Sequence, residues 1–212
     1  PKTLIKEIED IALPKITLTF WGVRGTLPMP GKNTLKYGGN TSCVSIAFPG
    51  DRFFIFDAGS GIKELSNYLL SIKKAKFKAN IFISHPHWDH INGLPFFAPL
   101  YMQGNEFEIC GTSHGDIKMR QVISSQMEGI YFPITIREFG ARVYFKDLVE
   151  DSYIIDNISV KTKLLVHPGY DLGYRIDYKD KSICYVTDNE LYLPESPYYS
   201  QFDREHLISF IK

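Results

Sequence analysis

The sequence predicts an α+β fold in which two β-sheets pack together and helices cover their outer faces. Short runs of β-branched and aromatic residues alternate with turn-forming Gly, Pro, Asn and Asp along most of the 212 residues. Helical patterns are fewer and lie between these runs, which favours packed sheets with helices outside. Apolar residues make up 44% of the chain, enough to fill a sizeable core.

The strands are predicted where apolar runs end in turn residues. They cover residues 16–21, 43–48, 53–57, 81–83, 107–110, 142–145, 158–166, 172–178 and 182–187. Helices are predicted over residues 62–72, 117–127 and 203–212, where apolar residues recur at helical spacing. Ser60 stands where the N-cap of the first helix is expected. Residues 22–40 form a loop rich in Gly, long enough to suggest a functional role.

The ends and the composition limit the function. Residues 1–14 are predicted to be an N-terminal extension or linker, and residues 15–212 one domain; an upstream domain or a homodimer stays open.

The longest apolar run falls short of the ~20 residues of a membrane span, so no membrane partner is expected. Cys43, Cys110 and Cys184 are far apart and odd in number, which favours free thiols in the reducing cytoplasm. With 24 basic and 24 acidic residues, a nucleic-acid partner is possible but not favoured.

Four residues with metal-binding side chains lie within six positions after the strand at 81–83. They are His85, His87, Asp89 and His90. Side chains at alternate positions leave an extended chain on the same side, so His85 and His87 are expected to point at one spot. The chain then turns, and Asp89 and His90 can address a second spot. Imidazole suits zinc, iron, manganese or nickel, and carboxylate suits the harder of these ions.

Three more candidates end predicted strands. His167 precedes Pro168-Gly169, and Asp188 follows the strand at 182–187. Each alone would be typical of a turn or cap, but with the histidine run a ligand role is favoured. Asp57 leaves two interpretations open. It is either a capping or turn residue, or it accepts the second N–H of a ligand histidine and fixes its tautomer.

These residues resemble the metallo-β-lactamase superfamily. The resemblance rests on Phe-Asp-Ala-Gly at 56–59, the histidine run, His-Pro-Gly at 167–169 and Thr-Asp at 187–188, in the family's order. Gly-Val-Arg-Gly-Thr-Leu-Pro at 22–28 and Gly-Gly-Asn-Thr-Ser-Cys at 38–43 are similar to the branch that holds phosphodiesterases and tRNA 3′-processing endonucleases. The resemblance implies an αββα four-layer sandwich whose C-terminal part is missing from this sequence.

The resemblance also implies two divalent metal ions, with zinc favoured and manganese or iron as alternatives. His85, His87 and His167 would hold the first ion, Asp89 and His90 the second, and Asp188 would bridge them. Asp89 would also act as the catalytic residue that orients or deprotonates the water. Because the sequence lacks the family's late histidine, the second ion is expected to be weakly held or absent.

The expected function is metal-dependent hydrolysis of a small phosphodiester. Arg24 can meet a phosphate oxygen or pair with a carboxylate of its own loop, and the pairing is favoured. Asn40 is the second candidate substrate contact. A thioester hydrolase of the glyoxalase II kind and a non-catalytic metal-binding sensor module stay open as alternatives.

Overall fold

Two facing sheets form the centre of the domain. The computed structural model of the chain describes residues 15–72 and 76–212, so the predicted extension or linker at residues 1–14 lies outside the described residues. The first sheet contains β1 (Thr17–Gly22), β2 (Cys43–Phe48), β3 (Arg52–Phe56), β4 (Lys78–Phe82), β5 (Glu106–Thr112) and β6 (Arg142–Leu148). These strands lie side by side in chain order. The first three are antiparallel and β3 to β6 are parallel, so the carboxyl ends of β3, β4 and β5 meet at one edge.

The second sheet is an antiparallel meander. It contains β7 (Ser152–Ile155), β8 (Ile158–Leu164), β9 (Leu172–Tyr178) and β10 (Lys181–Tyr185). Their spatial order is β10-β9-β8-β7. Asp156 and Asn157 connect β7 to β8 with φ angles of 49° and 63°. Two successive positive φ values are the requirement of the tight hairpin turn that Asp and Asn tolerate.

Helices cover the outside of both sheets. They are α1 (Ile62–Ser71), α2 (Trp88–Ile91), α3 (Met119–Gln126) and α4 (Gln201–Ile211), with short 3₁₀ turns at Lys32–Thr34, Leu94–Phe96, Ala98–Tyr101 and Ile136–Glu138. The outward-facing Arg175 of β9 donates from Nη1 to the Phe210 carbonyl at 2.9 Å, which holds α4 on the second sheet. None of the helices described is long and apolar enough to cross a lipid bilayer.

Alternation along the strands divides the apolar residues into two cores. Ile55 and Ile81 face α1 and α3 and belong to the outer core. Phe56 and Phe82, one position later in each strand, face the second sheet. Phe82 lies 5.3 Å from both the Phe56 ring and the Tyr174 ring of β9, so aromatic contacts join the sheets. The layers are therefore helix, sheet, sheet, helix, and the predicted αββα sandwich is confirmed.

Every predicted strand appears in the structure, but three local features differ from the prediction. The N-cap of α1 is Gly61, and no side chain caps this helix. The Ser60 hydroxyl instead accepts a hydrogen bond from the Thr41 N–H at 2.9 Å, which ties α1 to the loop before β2. The prediction of a Ser60 cap was therefore wrong. Strand β7 and the four-residue helix α2 were not predicted, because both are too short for a periodic pattern.

One buried hydrogen bond joins the second sheet to the loop that follows β4. The Tyr174 hydroxyl donates to the Ile83 carbonyl at 2.6 Å, and Tyr174 is fully buried. We expect Tyr174→Phe to lower the free energy of unfolding by about 1–3 kcal/mol, because the buried carbonyl loses its donor. Urea denaturation measures this loss. Tyr144→Phe, at a 52% exposed position, is the control and is expected to change stability by less than about 0.5 kcal/mol. Equal stability of Tyr174→Phe and wild type would contradict this account.

Candidate metal centre

The histidine run lies in the connection between β4 and α2, at the carboxyl edge of the parallel strands. Ile83 still donates its N–H to the Cys110 carbonyl of β5 at 2.8 Å. The chain then leaves the sheet, and His87 takes the N-cap position of α2 with an extended backbone, φ −61° and ψ 148°. His85 and His87 therefore precede the helix, whereas Asp89 and His90 lie on it. This change of direction separates the four side chains into two groups.

The first group brings three imidazoles and one carboxylate together. His85 Nε2 lies 2.9 Å from His87 Nδ1, and His167 Nε2 lies 3.2 Å from the same His87 nitrogen. Asp188 Oδ2 lies 3.7 Å from His85 Nε2 and 3.9 Å from His167 Nε2. Side chains from the loop after β4, the turn before β9 and the end of β10 thus converge on one point.

The second group shares an atom with the first. His90 Nε2 lies 3.4 Å from Asp89 Oδ2 and 3.5 Å from Asp188 Oδ2. Within each group all the potential ligand atoms lie within 4.8 Å of one another. Asp188 has a φ of 41°, in the left-handed region that Asp tolerates better than most residues. This backbone conformation places its carboxylate between the two groups.

The donor atoms fit divalent cations. Ligand atoms around a tetrahedral zinc lie about 3.3 Å apart, given Zn–N distances of about 2.0–2.1 Å. The ring nitrogens of the first group are already near that spacing. His90 Nε2 is buried and has no hydrogen-bond partner in the described part of the chain, an arrangement that costs free energy unless a cation accepts its lone pair. Three imidazoles and one carboxylate that belongs to both groups are a set that zinc, iron and manganese accept.

The charges of the pocket favour cations. Burial alone lowers the pKa of His90, but its hydrogen bond to Asp57 and the charges of Asp57, Asp89 and Asp188 raise it to about 9. Burial and the neighbouring imidazoles lower the pKa of His87, which keeps this ring neutral, the form that binds metals. The carboxylates therefore make the buried end of the pocket, around His90, favourable for a positive charge.

Asp57 lies beneath His90 and accepts four hydrogen bonds. Its Oδ2 accepts from His90 Nδ1 at 2.6 Å, from the Ser84 hydroxyl at 2.9 Å and from the Tyr185 hydroxyl at 2.8 Å. Its Oδ1 accepts from the Ser84 N–H at 2.7 Å. Asp57 is fully buried and, of the two interpretations the sequence left open, this geometry is that of the tautomer-fixing residue. A proton held at Nδ1 leaves Nε2 of His90 free to face the second group.

The loop at residues 22–40 reaches the pocket through its backbone. The Thr26 N–H donates to Asp89 Oδ2 at 2.7 Å, and Thr26 has a φ of 68°. Arg24 donates from Nε to the Leu27 carbonyl at 3.0 Å and from Nη2 to Met29 Sδ at 3.6 Å. The sequence analysis favoured pairing of Arg24 with a carboxylate of its own loop. In the structure its partners are instead a carbonyl and a thioether.

Asn40 stabilises the same loop through hydrogen bonds. Its Oδ1 accepts from the Ser60 hydroxyl at 3.2 Å, and its carbonyl accepts the N–H groups of Val23 and Arg24. The sequence did not single out Thr26 or Tyr185. Thr26 acts through its backbone, and Tyr185 reaches Asp57 across 128 positions, so neither carried a local signal.

Two facing sheets between helices, with paired ligand groups at one edge, define the metallo-β-lactamase fold predicted from the resemblance. Residues 52–203 match the family model described as the beta-lactamase superfamily domain, and the chain belongs to this superfamily. A Ribonuclease Z from Prochlorococcus marinus (strain MIT 9515) is 32% identical over 195 residues. That alignment covers 88% of this chain, and the chain spans 58% of the length of that relative.

Solved structures show the same fold. Unliganded yeast PDE1 aligns with a TM-score of 0.65 at 15% identity, covering 94% of this chain and 71% of that one. The short form of human tRNase Z aligns with a TM-score of 0.56 at 24% identity, covering 80% of this chain and 61% of that one. At these identities the likeness concerns the fold.

The four bonds of Asp57 predict a measurable effect on metal affinity. We expect Asp57→Asn to weaken zinc binding by about 10–100-fold, the usual loss when the outer partner of a ligand histidine is changed. Competition with a chromophoric chelator measures this. Tyr185→Phe removes only one of the donors to Asp57 and leaves the His90 bond intact, so its loss should be smaller. A folded Asp57→Asn protein with wild-type affinity would refute the assigned geometry.

Proposed function

We propose that this chain is a metal-dependent hydrolase that cleaves phosphodiesters with two divalent ions. The observation that carries the proposal is the position of Asp188 Oδ2, which lies 3.5 Å from His90 Nε2 and 3.7 Å from His85 Nε2. One carboxylate oxygen shared by two ligand groups is the arrangement of a two-metal site. The names of the relatives support the substrate class, since Ribonuclease Z enzymes act on RNA.

The ligand sets follow from the distances. His85, His87, His167 and Asp188 would hold the first ion, and Asp89, His90 and Asp188 the second. Zinc is the proposed metal, because histidines dominate the first set, and manganese or iron are the alternatives. Two such ions lower the pKa of water toward neutrality and stabilise the negative charge that develops on a phosphoryl group during in-line displacement.

The protein's own residues orient the reaction. The Thr26 N–H holds Asp89 Oδ2 at 2.7 Å, so the carboxylate is fixed before substrate arrives. We assign to Asp89 the catalytic role of orienting the attacking water and taking its proton. His87 and Asp188 lie on the exposed side of the pocket. Substrate therefore approaches from that side, opposite Asp57.

A small phosphodiester is the favoured substrate, and a nucleic acid is the second candidate. The net charge of zero provides no general field for a polyanion, so the cations themselves would attract the phosphate. The Ribonuclease Z relatives favour the nucleic-acid alternative. Arg24 and Asn40 are proposed as substrate contacts, because their loop also supplies the bond to Asp89. Both residues also form hydrogen bonds within that loop, so they would hold its conformation as well as contact substrate.

The wider setting is also a proposal. We propose that residues 15–212 act as one hydrolase domain. The three cysteines described as free thiols fit the reducing cytoplasm. A homodimer or an upstream domain is compatible with this arrangement, and no membrane partner is required.

His87→Ala tests the metal assignment and the function together. Metal analysis at saturating zinc should show up to two ions per wild-type chain, the second held more weakly, and at most one per variant chain. Turnover of bis-p-nitrophenyl phosphate should fall by more than about 100-fold, since even outer partners of metal ligands contribute about 10–100-fold. His206→Ala is the matched control, because His206 is exposed on α4, away from the proposed ligands, and its Nδ1 contacts the Phe202 carbonyl of the same helix. Full turnover in His87→Ala would rule out the proposed site.

The same preparation separates the alternatives. A thioester substrate of the glyoxalase II kind, turned over faster than the phosphodiester, would replace the proposed substrate class. Tightly bound metal without turnover of either substrate would favour the non-catalytic sensor module.

A further inference from the structure

Asp171 is a fully buried carboxylate that the sequence analysis did not single out. It lies directly before β9, and its carbonyl accepts the Leu165 N–H at 2.9 Å. Neither carboxylate oxygen has a hydrogen-bond partner in the described part of the chain. An ionised carboxylate in such surroundings costs free energy unless a positive charge or a strong donor lies nearby. The carboxylate therefore needs a donor or a positive charge close by.

His85 presents its second ring nitrogen to Asp171. His85 Nδ1 lies 3.5 Å from Asp171 Oδ1, and its Nε2 faces His87 and Asp188. The Ser84 hydroxyl lies 3.1 Å from the same Nδ1, but its hydrogen is donated to Asp57. Ser84 Oγ and Asp171 Oδ1 are thus the two oxygens close to His85 Nδ1. A proton on Nδ1 directed at either oxygen leaves Nε2 free to bind a cation, and of the two residues only Asp171 can add a negative charge.

The charge count of the site points the same way. Asp89 and Asp188 lie among the ligand atoms, and Asp57 lies behind His90. Asp171 adds a fourth carboxylate, behind His85, and it is fully buried. A negative charge at a buried position is weakly screened, so it favours a cation bound on the far side of the His85 ring.

We propose that Asp171 is a positioning residue for His85, which fixes the ring tautomer and adds a negative charge behind this ligand of the proposed cations. The proposal rests on the proposed function, because it needs cations at the site. It makes a prediction that a structural role would not make. Without metal, the buried Asp171 oxygens form no hydrogen bond in the described part of the chain, so replacing the carboxylate should not weaken the fold. With metal, the same carboxylate should strengthen binding through His85.

Asp171→Asn tests this, because the amide keeps the shape and removes the charge. In the full-length metal-free protein, we expect a thermal midpoint equal to or above that of wild type. Zinc affinity, measured by chelator competition, should fall about 10–100-fold, as for other outer partners of ligand histidines. Asp180→Asn is the matched control, an exposed aspartate in the β9–β10 turn, and should change neither quantity.

A spectroscopic measurement completes the test. In zinc-loaded wild type, long-range ¹⁵N–¹H correlation should show the His85 proton on Nδ1 with a strongly deshielded resonance, and this resonance should move upfield in Asp171→Asn. Unchanged zinc affinity, or a metal-free variant that unfolds more easily than wild type, overturns the role of Asp171. If wild-type protein binds no zinc, both this inference and the proposed function are overturned. If wild type binds zinc and Asp171→Asn binds it with the same affinity, this inference alone is overturned.

Discussion

The buried carboxylate of Asp57 is the interaction on which the site depends. It directly follows β3 of the first sheet and accepts hydrogen bonds from Ser84 after β4, from His90 on α2 and from Tyr185 on β10 of the second sheet. Because all three donors meet one carboxylate, the relative position of the two sheets also sets the position of His90. A change in sheet packing would therefore alter the ligand geometry directly. The aromatic contact of Phe82 with Tyr174 supports the same alignment from within the core.

Exposure of the side chains increases from this carboxylate toward the opening of the pocket. The side chains of Asp57 and His90 are fully buried, that of His167 is 14% exposed and that of Asp188 is 34% exposed. The buried residues can keep fixed rotamers and tautomers because solvent does not compete for their hydrogen bonds. The exposed ligands keep the pocket accessible. This gradient would let one site combine fixed geometry with access for the proposed phosphodiester, whose charged group must lose its hydration shell as it enters.

The site residues that could be predicted are those whose role is indicated by the residues next to them in the sequence. The histidine run was found because four ligand-type residues follow one strand, and His167 and Asp188 because each ends a strand at a turn. Ser60 was misassigned because a Ser before a helix is typical of a cap, and its contact with Thr41 depends on packing. Asp171 was missed for a related reason. An aspartate before a strand is common, and only the meeting of β9 with the loop after β4 places it beside His85.

The loop at residues 22–40 shows how a surface segment can influence buried chemistry without supplying a ligand side chain. Its Thr26 N–H fixes one oxygen of Asp89, and the left-handed backbone at Thr26 is what directs that N–H inward. Asn40 and Arg24 hold the loop in the required shape through bonds to Ser60 and to the Leu27 carbonyl. Any substrate that displaces these side chains also changes the support of Asp89. If Arg24 and Asn40 contact substrate as proposed, recognition and the positioning of Asp89 would be coupled through the Thr26 backbone hydrogen bond.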